Sequence, residues 1–487
     1  MDRPLHRHEY FTINISWWGL SAATGIITPV LLPTLVALFV PWDQKNTYLA
    51  AIRVTSLAIA MAIQPMAGLL SDRSTLRWGR RRPYITAGTL LSLLFLLVIG
   101  ASSCFRGSTL GWLPEPLSGV SAAVAMLLVG MGLWQAAANV AQGALQGLIP
   151  DLVRESQRGR ASGVKAVMEM LAALPLLFVG RLVDAGLIWL TIGLVAMFVT
   201  VPWLITILTV REQVLEARPP GRIGALLLRL IGLTSLFVVI TQAASWAVRF
   251  GATGLTHGQP DIGWRLAAAG FIGLVGMAGA IVAGVRLGTR VGIGRDAQRQ
   301  GPFVWWVTNR LLFLAALGSI QGFALYFLSD VHHLPNPAAA TTLLAAAVAA
   351  CVIPSALASG ALADRIGRKP LLVLAGLVAA AGTFLLILAP GLPWIVVSAC
   401  VLGVATGTFM ATSWAMGSDL VPRQEAGRYL GISNLAGAGA GIVGVGIGGP
   451  LADLVNALQP GLGYLTVFSI YGALFLLSAA ALVPVKE

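Results

Sequence analysis

Charged residues are scarce in this chain of 487 residues: they make up 10% of it, whereas an average soluble protein has about 25%. Apolar residues account for 57%, and the mean hydropathy is +0.83. A soluble fold of this length could not cover its surface with so few charges, and a disordered chain would not be so apolar. These two absences indicate a polytopic membrane protein.

Cysteine and histidine are also rare, with three and five residues respectively. Cys104, Cys351 and Cys400 lie in apolar runs and form neither a metal-binding spacing nor a disulfide framework. His332 and His333 lie in a short outer loop, where a zinc site is the less favoured interpretation. We therefore expect no metal and no cofactor. No span pairs a nucleophile with a base and no nucleotide-binding loop is present, so an enzyme is not expected either.

The apolar runs between charge clusters predict transmembrane helices, since about 20 residues cross the hydrocarbon core. Strands that alternate at every second residue are lacking, which argues against a membrane barrel. The sequence predicts 14 spans, at residues 15–40, 49–70, 84–104, 120–147, 163–185, 187–210, 223–250, 264–288, 303–328, 338–360, 371–389, 394–418, 430–452 and 463–484.

The basic residues behind the net charge of +13 lie mostly on one side of the predicted membrane. With an amino terminus on the inside, 23 basic residues fall in inner segments and five in outer ones. This is the positive-inside pattern of membrane proteins, so a nucleic acid partner is not expected. The pattern predicts a multi-pass protein of the cell membrane with both termini cytoplasmic. The first apolar run is too long for a signal peptide, so we expect it to be a retained span.

Two motifs occur twice in the same order. The sequence G-x-x-x-D-R, followed by G-R-(R/K)-P, begins at Gly68 and again at Gly360. A second pattern, which begins at Asp151, recurs at Asp419 with a constant offset of 268 residues. The repeat predicts two homologous halves of six helices. Counting back from the repeated motif leaves two central helices without a counterpart, so we expect a half at 1–210, an insert at 211–302 and a second half at 303–487.

The doubled G-x-x-x-D-R…G-R-(R/K)-P loop resembles the signature cytoplasmic loop of the major facilitator superfamily. Within that superfamily, the first half is similar to sucrose–proton and related glycoside–cation symporters, through the R-x-G-R-R element at 77–81, Thr28-Pro29 and Asn139-Val-Ala-Gln142-Gly143. The resemblance implies an all-α fold with a central cavity between two six-helix halves, which works by alternating access.

The fourth span departs from the sucrose symporters at two positions. Gln135 and Gln146 stand where those proteins carry an Asp and an Arg. Sugar recognition is still favoured, because amides offer both donors and acceptors to hydroxyl groups. Gln135, Asn139, Gln142 and Gln146 follow one helical stripe, which either lines a cavity or bonds another helix.

Charged residues of the repeated loops are candidates for a cytoplasmic gate. The alternative is that these charges only set the orientation of the protein in the membrane. We expect Arg73 and Arg82 to reach Asp151 or Glu155, and Arg365 and Arg368 to reach Asp419 or Glu425. By pseudo-symmetry, Asp72 should face the start of span thirteen and Asp364 the start of span five. The predicted gating set is Asp72, Arg73, Arg82, Asp151, Arg160, Asp364, Arg365, Arg368, Asp419 and Arg428.

Ionisable residues within spans are costly and are therefore candidates for function. Glu169 is the predicted proton-coupling residue, although Lys165 lies one turn away and could simply neutralise it. Arg310 has two possible roles. It either binds the substrate or a counter-ion, or its charge is simply satisfied near the inner end of its span. The predicted substrate-binding set is Asn14, Gln135, Asn139, Gln142, Arg310, Gln321 and Trp414.

Together these features predict a secondary transporter for a small organic solute, most readily a sugar or glycoside with a proton. A monomer in the lipid bilayer is expected. Two alternatives remain open at this stage: an exporter of amphipathic organic compounds, and a membrane receptor on the same scaffold that does not transport.

Overall fold

The computed structural model describes residues 6–111, 121–212, 224–256, 261–292, 301–420 and 426–485. These residues are helical almost throughout, and their only β-type pairing is an isolated bridge between Thr109 and Ser121. The helices are α1 (Arg7–Ile26), α2 (Leu32–Phe39), α3 (Lys45–Asp72), α4 (Arg82–Ala101), α5 (Ala122–Gln146), α6 (Leu148–Leu152), α7 (Arg158–Leu171), α8 (Leu176–Asp184), α9 (Ile188–Thr209), α10 (Gly224–Thr256), α11 (Ile262–Gly292), α12 (Gly301–Asp330), α13 (Pro337–Ile366), α14 (Arg368–Leu388), α15 (Leu392–Leu420), α16 (Ala426–Asn456) and α17 (Leu462–Ala480).

Within the described residues, 14 helical segments are long and apolar enough to cross a membrane. The prediction of an all-α membrane protein with about 14 spans is confirmed. Several spans are interrupted, and two of the interruptions contain a proline. A π-helical turn at Ile27–Leu31 joins α1 to α2, and residues 172–175 separate α7 from α8. Pro29 and Pro175 lie at these breaks because proline removes a backbone donor and clashes with the preceding turn.

The chain forms two compact units. The first comprises residues 1–40 and 59–227, and the second comprises residues 41–58 and 228–487. In the first unit, α4 packs on α5 and α9, and α1 packs on α7 and α9. Helix α3 contributes residues 45–58 to the second unit and residues 59–72 to the first.

In the second unit, α12 is the central helix and packs on α16 and α17, while α13, α14 and α15 pack on one another. Helix α11 and most of α10, which we predicted to be an insert, also lie in this unit, where α11 packs on α12, α16 and α17. Helix α10 is attached by Ser245, whose hydroxyl donates to the carbonyl of Gly446 at 3.2 Å. The predicted boundaries at 210 and 302 stay a prediction.

Candidate functional site

Arg81 is the centre of a polar cluster in the first unit, in the loop between α3 and α4. Its guanidinium pairs with Asp72, donates to Asp151 Oδ2 at 2.9 Å and donates to Ser71 Oγ at 2.7 Å. Arg80 pairs with Asp151 from the exposed side. Arg81 is buried, and the two carboxylates balance its charge, as a buried cation requires.

Asp151 forms ion pairs with Arg80 and Arg81, which the sequence did not single out. The expectation that Arg73 and Arg82 reach Asp151 or Glu155 stays a prediction. Arg82 is the first residue of α4, and its guanidinium donates to the carbonyl of Ile207 and lies 5.0 Å from the Trp78 ring. Arg80 and Arg81 precede the helix and share Asp151, whereas Arg82 is the first helical residue and has other contacts.

The glycine of the G-R-(R/K)-P element has a conformational role in both repeats. Gly79 has φ +115° and Gly367 has φ +87°, in the left-handed region that favours glycine. At Gly79 a Cβ atom would also lie 2.9 Å from a carboxylate oxygen of Glu212. The repeated glycine is therefore explained by the turn that starts the next helix.

Glu212 accepts a hydrogen bond from the backbone N–H of Arg81 at 2.6 Å, where α4 begins. A carboxylate at this position satisfies an otherwise orphaned donor and suits the helix dipole. Burial raises the pKa of Glu212 above its ordinary value, although the backbone N–H groups of residues 80–82 and the charge of Arg81 oppose the rise. The sequence did not reveal this residue, because Glu212 follows α9 in the chain and meets the start of α4 only in the folded protein.

The repeated loop in the second unit forms a smaller ion pair. Arg368, the first residue of α14, pairs with Asp419 near the end of α15, as expected. Asp364 and Arg365 are exposed, and so is Arg160 in the first unit. Arg73 is half-buried. The side chain of Arg428 lies outside the described part of the structure.

The amides of α5 are placed unevenly. Gln135 and Gln142 are half-buried, Asn139 is buried, and Gln146 is exposed. The side chain of Asn139 donates to the carbonyl of Gln135 in its own helix at 2.8 Å. Gln135 and Gln142 therefore keep their amide groups available for a solute.

Asn14 has a different environment from the one expected of a substrate ligand. It is fully buried, and its amide donates to the carbonyls of Tyr10 at 2.9 Å and Ala161 at 3.1 Å. The second bond joins α1 to α7, and both helices belong to the first unit. This geometry fits a bond between helices better than a direct solute contact.

Arg310 and Trp414 form a pair in the second unit. The guanidinium carbon lies 4.6 Å from the centre of the Trp414 ring, and Nη1 donates to Ser413 Oγ at 3.3 Å. Arg310 is 6% exposed and its Nε has no hydrogen-bond partner, whereas Trp414 is 36% exposed. Arg310 forms no ion pair with any described residue. A cation in this setting can bind a solute that reaches the ring.

Helix α12 has one accessible stripe along this region. Leu314 and Gly318 are half-buried and Gln321 is exposed, whereas most of the helix is buried. These three residues and Arg310 follow one another at intervals of three or four positions, so all four share one face of α12. Two of the predicted ligands, Arg310 and Gln321, therefore line the same face of α12.

Arg53 reaches this helix from α3. Its Nη1 is buried without a hydrogen-bond partner, and Nη2 lies 3.5 Å from the carbonyl oxygen of Gly318. A Cβ atom on Gly322 would come within 1.5 Å of Nη1. The side chain of Arg53 thus fits only because α12 carries glycine at this position, which the sequence analysis did not foresee.

Glu169 and Lys165 form the contact expected between successive turns of α7. Lys165 Nζ lies 3.4 Å from a Glu169 oxygen, and the Glu169 side chain is 38% exposed. The same ammonium lies 3.9 Å from the centre of the Trp17 ring on α1. The carboxylate is therefore accessible and has one nearby cation.

The outer ends of α3, α12, α16 and α17 meet in a buried network that the sequence did not reveal. Lys45 Nζ lies 2.6 Å from Asp330 Oδ2, and the hydroxyl of Tyr464 donates to the same oxygen at 2.7 Å. Asn46 donates through Nδ2 to Asp453 Oδ1 at 2.8 Å, and the backbone N–H of Thr47 donates to Asp453 Oδ2 at 2.7 Å. Asp453 thereby caps the start of α3.

Metal-binding residues do not converge in the described part of the chain, where no group of three histidine, cysteine or acidic residues could hold an ion. The polar groups described above are instead suited to hydrogen bonding and ion pairing. They can bind a solute and hold helices together, and both are tasks of a transporter.

Parts of this chain are similar in sequence to known proteins. The family model of the Major Facilitator Superfamily matches residues 310–487. The sucrose transport protein SUT1 of Oryza sativa subsp. japonica is 36% identical over 108 residues, which are 21% of this chain and 20% of the relative. The sucrose transport protein SUC4 of Arabidopsis thaliana is 27% identical over 142 residues, or 29% of this chain and 26% of the relative. The matched regions thus span about a fifth to a quarter of these relatives' length.

Solved structures share the fold over nearly the whole chain. A D-xylose–proton symporter has a TM-score of 0.63 at 16% identity and covers 99% of this chain and 98% of its own. A POT family transporter in complex with 5-aminolevulinic acid has a TM-score of 0.63 at 14% identity, with 98% and 95% covered. Residues 310–487 thus match the Major Facilitator Superfamily model, the described chain shares the fold of these solved transporters, and part of the sequence is similar to sucrose transport proteins.

Proposed function

We propose that this protein is a secondary active transporter that moves a sugar or glycoside together with a proton by alternating access. It acts as a monomer in the cell membrane with both termini in the cytoplasm, and it carries out no enzymatic step. The sequence similarity to sucrose transport proteins and the fold shared with a D-xylose–proton symporter support this assignment.

The observation that carries the proposal is the pair of Arg310 and Trp414 beside the accessible stripe of α12. An exposed indole face offers an apolar surface for the C–H face of a sugar ring. A guanidinium offers several donors in a fixed plane to ring hydroxyls. Gln321 on the same stripe supplies an amide donor and acceptor.

Arg310 also favours a narrower candidate among the sugars. A buried guanidinium is costly when no described carboxylate pairs with it, and a negative group on the solute would offset that cost. Sugar acids and carboxylated glycosides therefore belong in the solute panel with sucrose and other neutral glycosides.

Glu169 is the proposed proton-coupling residue. Its carboxylate lies within a predicted span, is accessible, and has the Lys165 ammonium 3.4 Å away. A carboxyl group in this position can take up a proton when the site is open and exchange it as the neighbouring charge moves. The ion pairs of Arg81 and Arg368 are proposed to stabilise the closed cytoplasmic side.

Transport in proteoliposomes tests the function. We expect an inward proton gradient to drive solute uptake, Arg310→Gln and Trp414→Ala to reduce it at least tenfold, and Arg77→Gln, in an exposed loop, to leave it unchanged. Dye efflux without sugar uptake would instead support the exporter. No transport of any solute in a broad panel, with a folded protein, would contradict the proposal and favour the receptor.

Proton coupling is tested separately. Glu169→Gln should abolish uptake driven by the proton gradient but preserve exchange of labelled for unlabelled solute, because exchange needs no net proton movement. The control is Asp43→Asn, an exposed residue between α2 and α3. Gradient-driven uptake by the Glu169→Gln variant would remove Glu169 from the coupling mechanism.

A further inference from the structure

A cavity of about 590 Å³ lies between the inserted helix α11 and α12 in the second unit. Its polar lining includes Arg286, Thr289 and Arg290 from the last turns of α11, and Thr308 from α12. Both threonine hydroxyls donate to carbonyls of their own helices, at 2.8 Å. The two guanidinium groups are therefore the charged groups among the described residues that line the cavity.

The charged end of the cavity is suited to an anion. Arg286 and Arg290 lie one turn apart on one face of α11, are exposed, and form no ion pair with a described residue. Among the described residues that line the cavity there is no carboxylate.

The other walls are apolar. Val282, Leu287, Val304 and Trp305 line the cavity, and Leu287 and Trp305 are 39% and 37% exposed. Both helices are candidate membrane spans, and Val282 lies one turn deeper in α11 than Arg286. A small soluble anion would use the arginines but not the apolar walls. An amphipathic anion would use both.

The positive-inside pattern places this end of α11 at the cytoplasmic interface, where anionic lipids and basic pockets between helices meet. We propose that the cavity between α11 and α12 binds an anionic phospholipid, with its phosphate against Arg286 and Arg290 and an acyl chain along the apolar walls. This site is separate from the solute site around Arg310, and it gives the inserted helix α11 a role.

The alternative is that both arginines act only as topology determinants. The full-length protein distinguishes the two when its lipid binding is measured by native mass spectrometry and by thermal unfolding in detergent. The probes are phosphatidylglycerol, phosphatidylcholine, and inorganic phosphate as the soluble source of the same group. We expect phosphatidylglycerol to bind and to raise the unfolding temperature, while phosphatidylcholine and inorganic phosphate at the same concentration do neither.

Two matched variants decide whether the cavity is responsible. Arg286→Gln with Arg290→Gln should weaken phosphatidylglycerol binding at least tenfold, whereas Arg77→Gln with Arg229→Gln removes the same charge from other exposed inner positions and should not. Arg286→Lys with Arg290→Lys should retain most binding, which also shows that the site tolerates substitution. Equal loss in the control pair would overturn the assignment, as would unchanged binding in the glutamine pair. Competition by inorganic phosphate would identify a free anion site instead.

Discussion

The ammonium of Lys45 lies 2.6 Å from a carboxylate oxygen of Asp330, and this contact joins the first residue of α3 to the last residue of α12. Both side chains are almost fully buried, at 6% and 10% exposure. The Tyr464 hydroxyl donates to the same carboxylate, and the Tyr326 ring lies 4.5 Å from the ammonium. The pair is thus both desolvated and well partnered.

Breaking this pair on one side should be costly. Asp330→Asn or Lys45→Met leaves one buried charge without a partner, which destabilises a protein by about 3–5 kcal/mol. The double variant removes both charges and should recover most of that loss. Thermal unfolding in detergent measures all three, and additive losses in the double variant would show that the two residues are not coupled.

Arg81 should be irreplaceable by lysine. Its planar guanidinium reaches Asp72, Asp151 and Ser71 at once, and a single ammonium cannot reproduce that geometry. We expect Arg81→Lys to lower the transport rate at least tenfold, whereas Arg77→Lys in the same loop does not. Equal rates in the two variants would contradict a role for this cluster in gating.

Glu212 should give the protein a measurable pH dependence. Because burial raises its pKa in the folded state, the folded protein binds that proton more tightly than the unfolded chain does. Its contribution to stability is therefore largest below its ordinary pKa of 4.5 and is lost as the pH rises through the folded value.

Two substitutions separate the charge of Glu212 from its hydrogen bond. Glu212→Gln keeps an acceptor for the Arg81 N–H without a buried charge, so it should remove this pH dependence and cost no stability at pH 7. Glu212→Ala also removes the cap and should cost roughly 1–2 kcal/mol. Unfolding measured from pH 4 to 8 tests both, with Asp43→Asn as the control. An unchanged pH profile in Glu212→Gln would contradict the assignment.

Gly322 and Gly318 provide a matched pair on α12. A Cβ atom at 322 would lie 1.5 Å from Arg53 Nη1, whereas one at 318 would meet no atom within 4 Å. Gly322→Ala should displace the guanidinium and destabilise the protein by about 1–3 kcal/mol, while Gly318→Ala is tolerated. Similar unfolding temperatures for the two variants would show that Arg53 does not occupy the position described.

Much of the fold could be predicted from one-dimensional patterns. Apolar runs predict spans because backbone groups in lipid must bond within a helix, and the doubled motif predicts two related halves. The pairing of Arg368 with Asp419 was also foreseeable, since each residue stands at the same place in its repeat. Interruptions such as the one before Pro175 shift boundaries but not the number of spans.

The candidate site was less predictable, because its contacts join residues that are distant in the sequence. Arg81 pairs with Asp151 although the sequence did not single it out, and Asn14 bonds to α7 although its residue type suits a sugar. Glu212 and the pair of Lys45 and Asp330 join residues far apart in the chain, and no local pattern marks such partners.

The sequence by itself determined that this protein crosses the membrane many times, because that property follows from hydrophobicity, and it predicts an orientation and two repeated halves from charge distribution and motif spacing. Only the tertiary structure decided which arginines pair with carboxylates and which, like Arg310 and Arg286, form no ion pair with a described residue. That distinction depends on how the helices pack around each charge, and it points to the places where a solute and a lipid would bind.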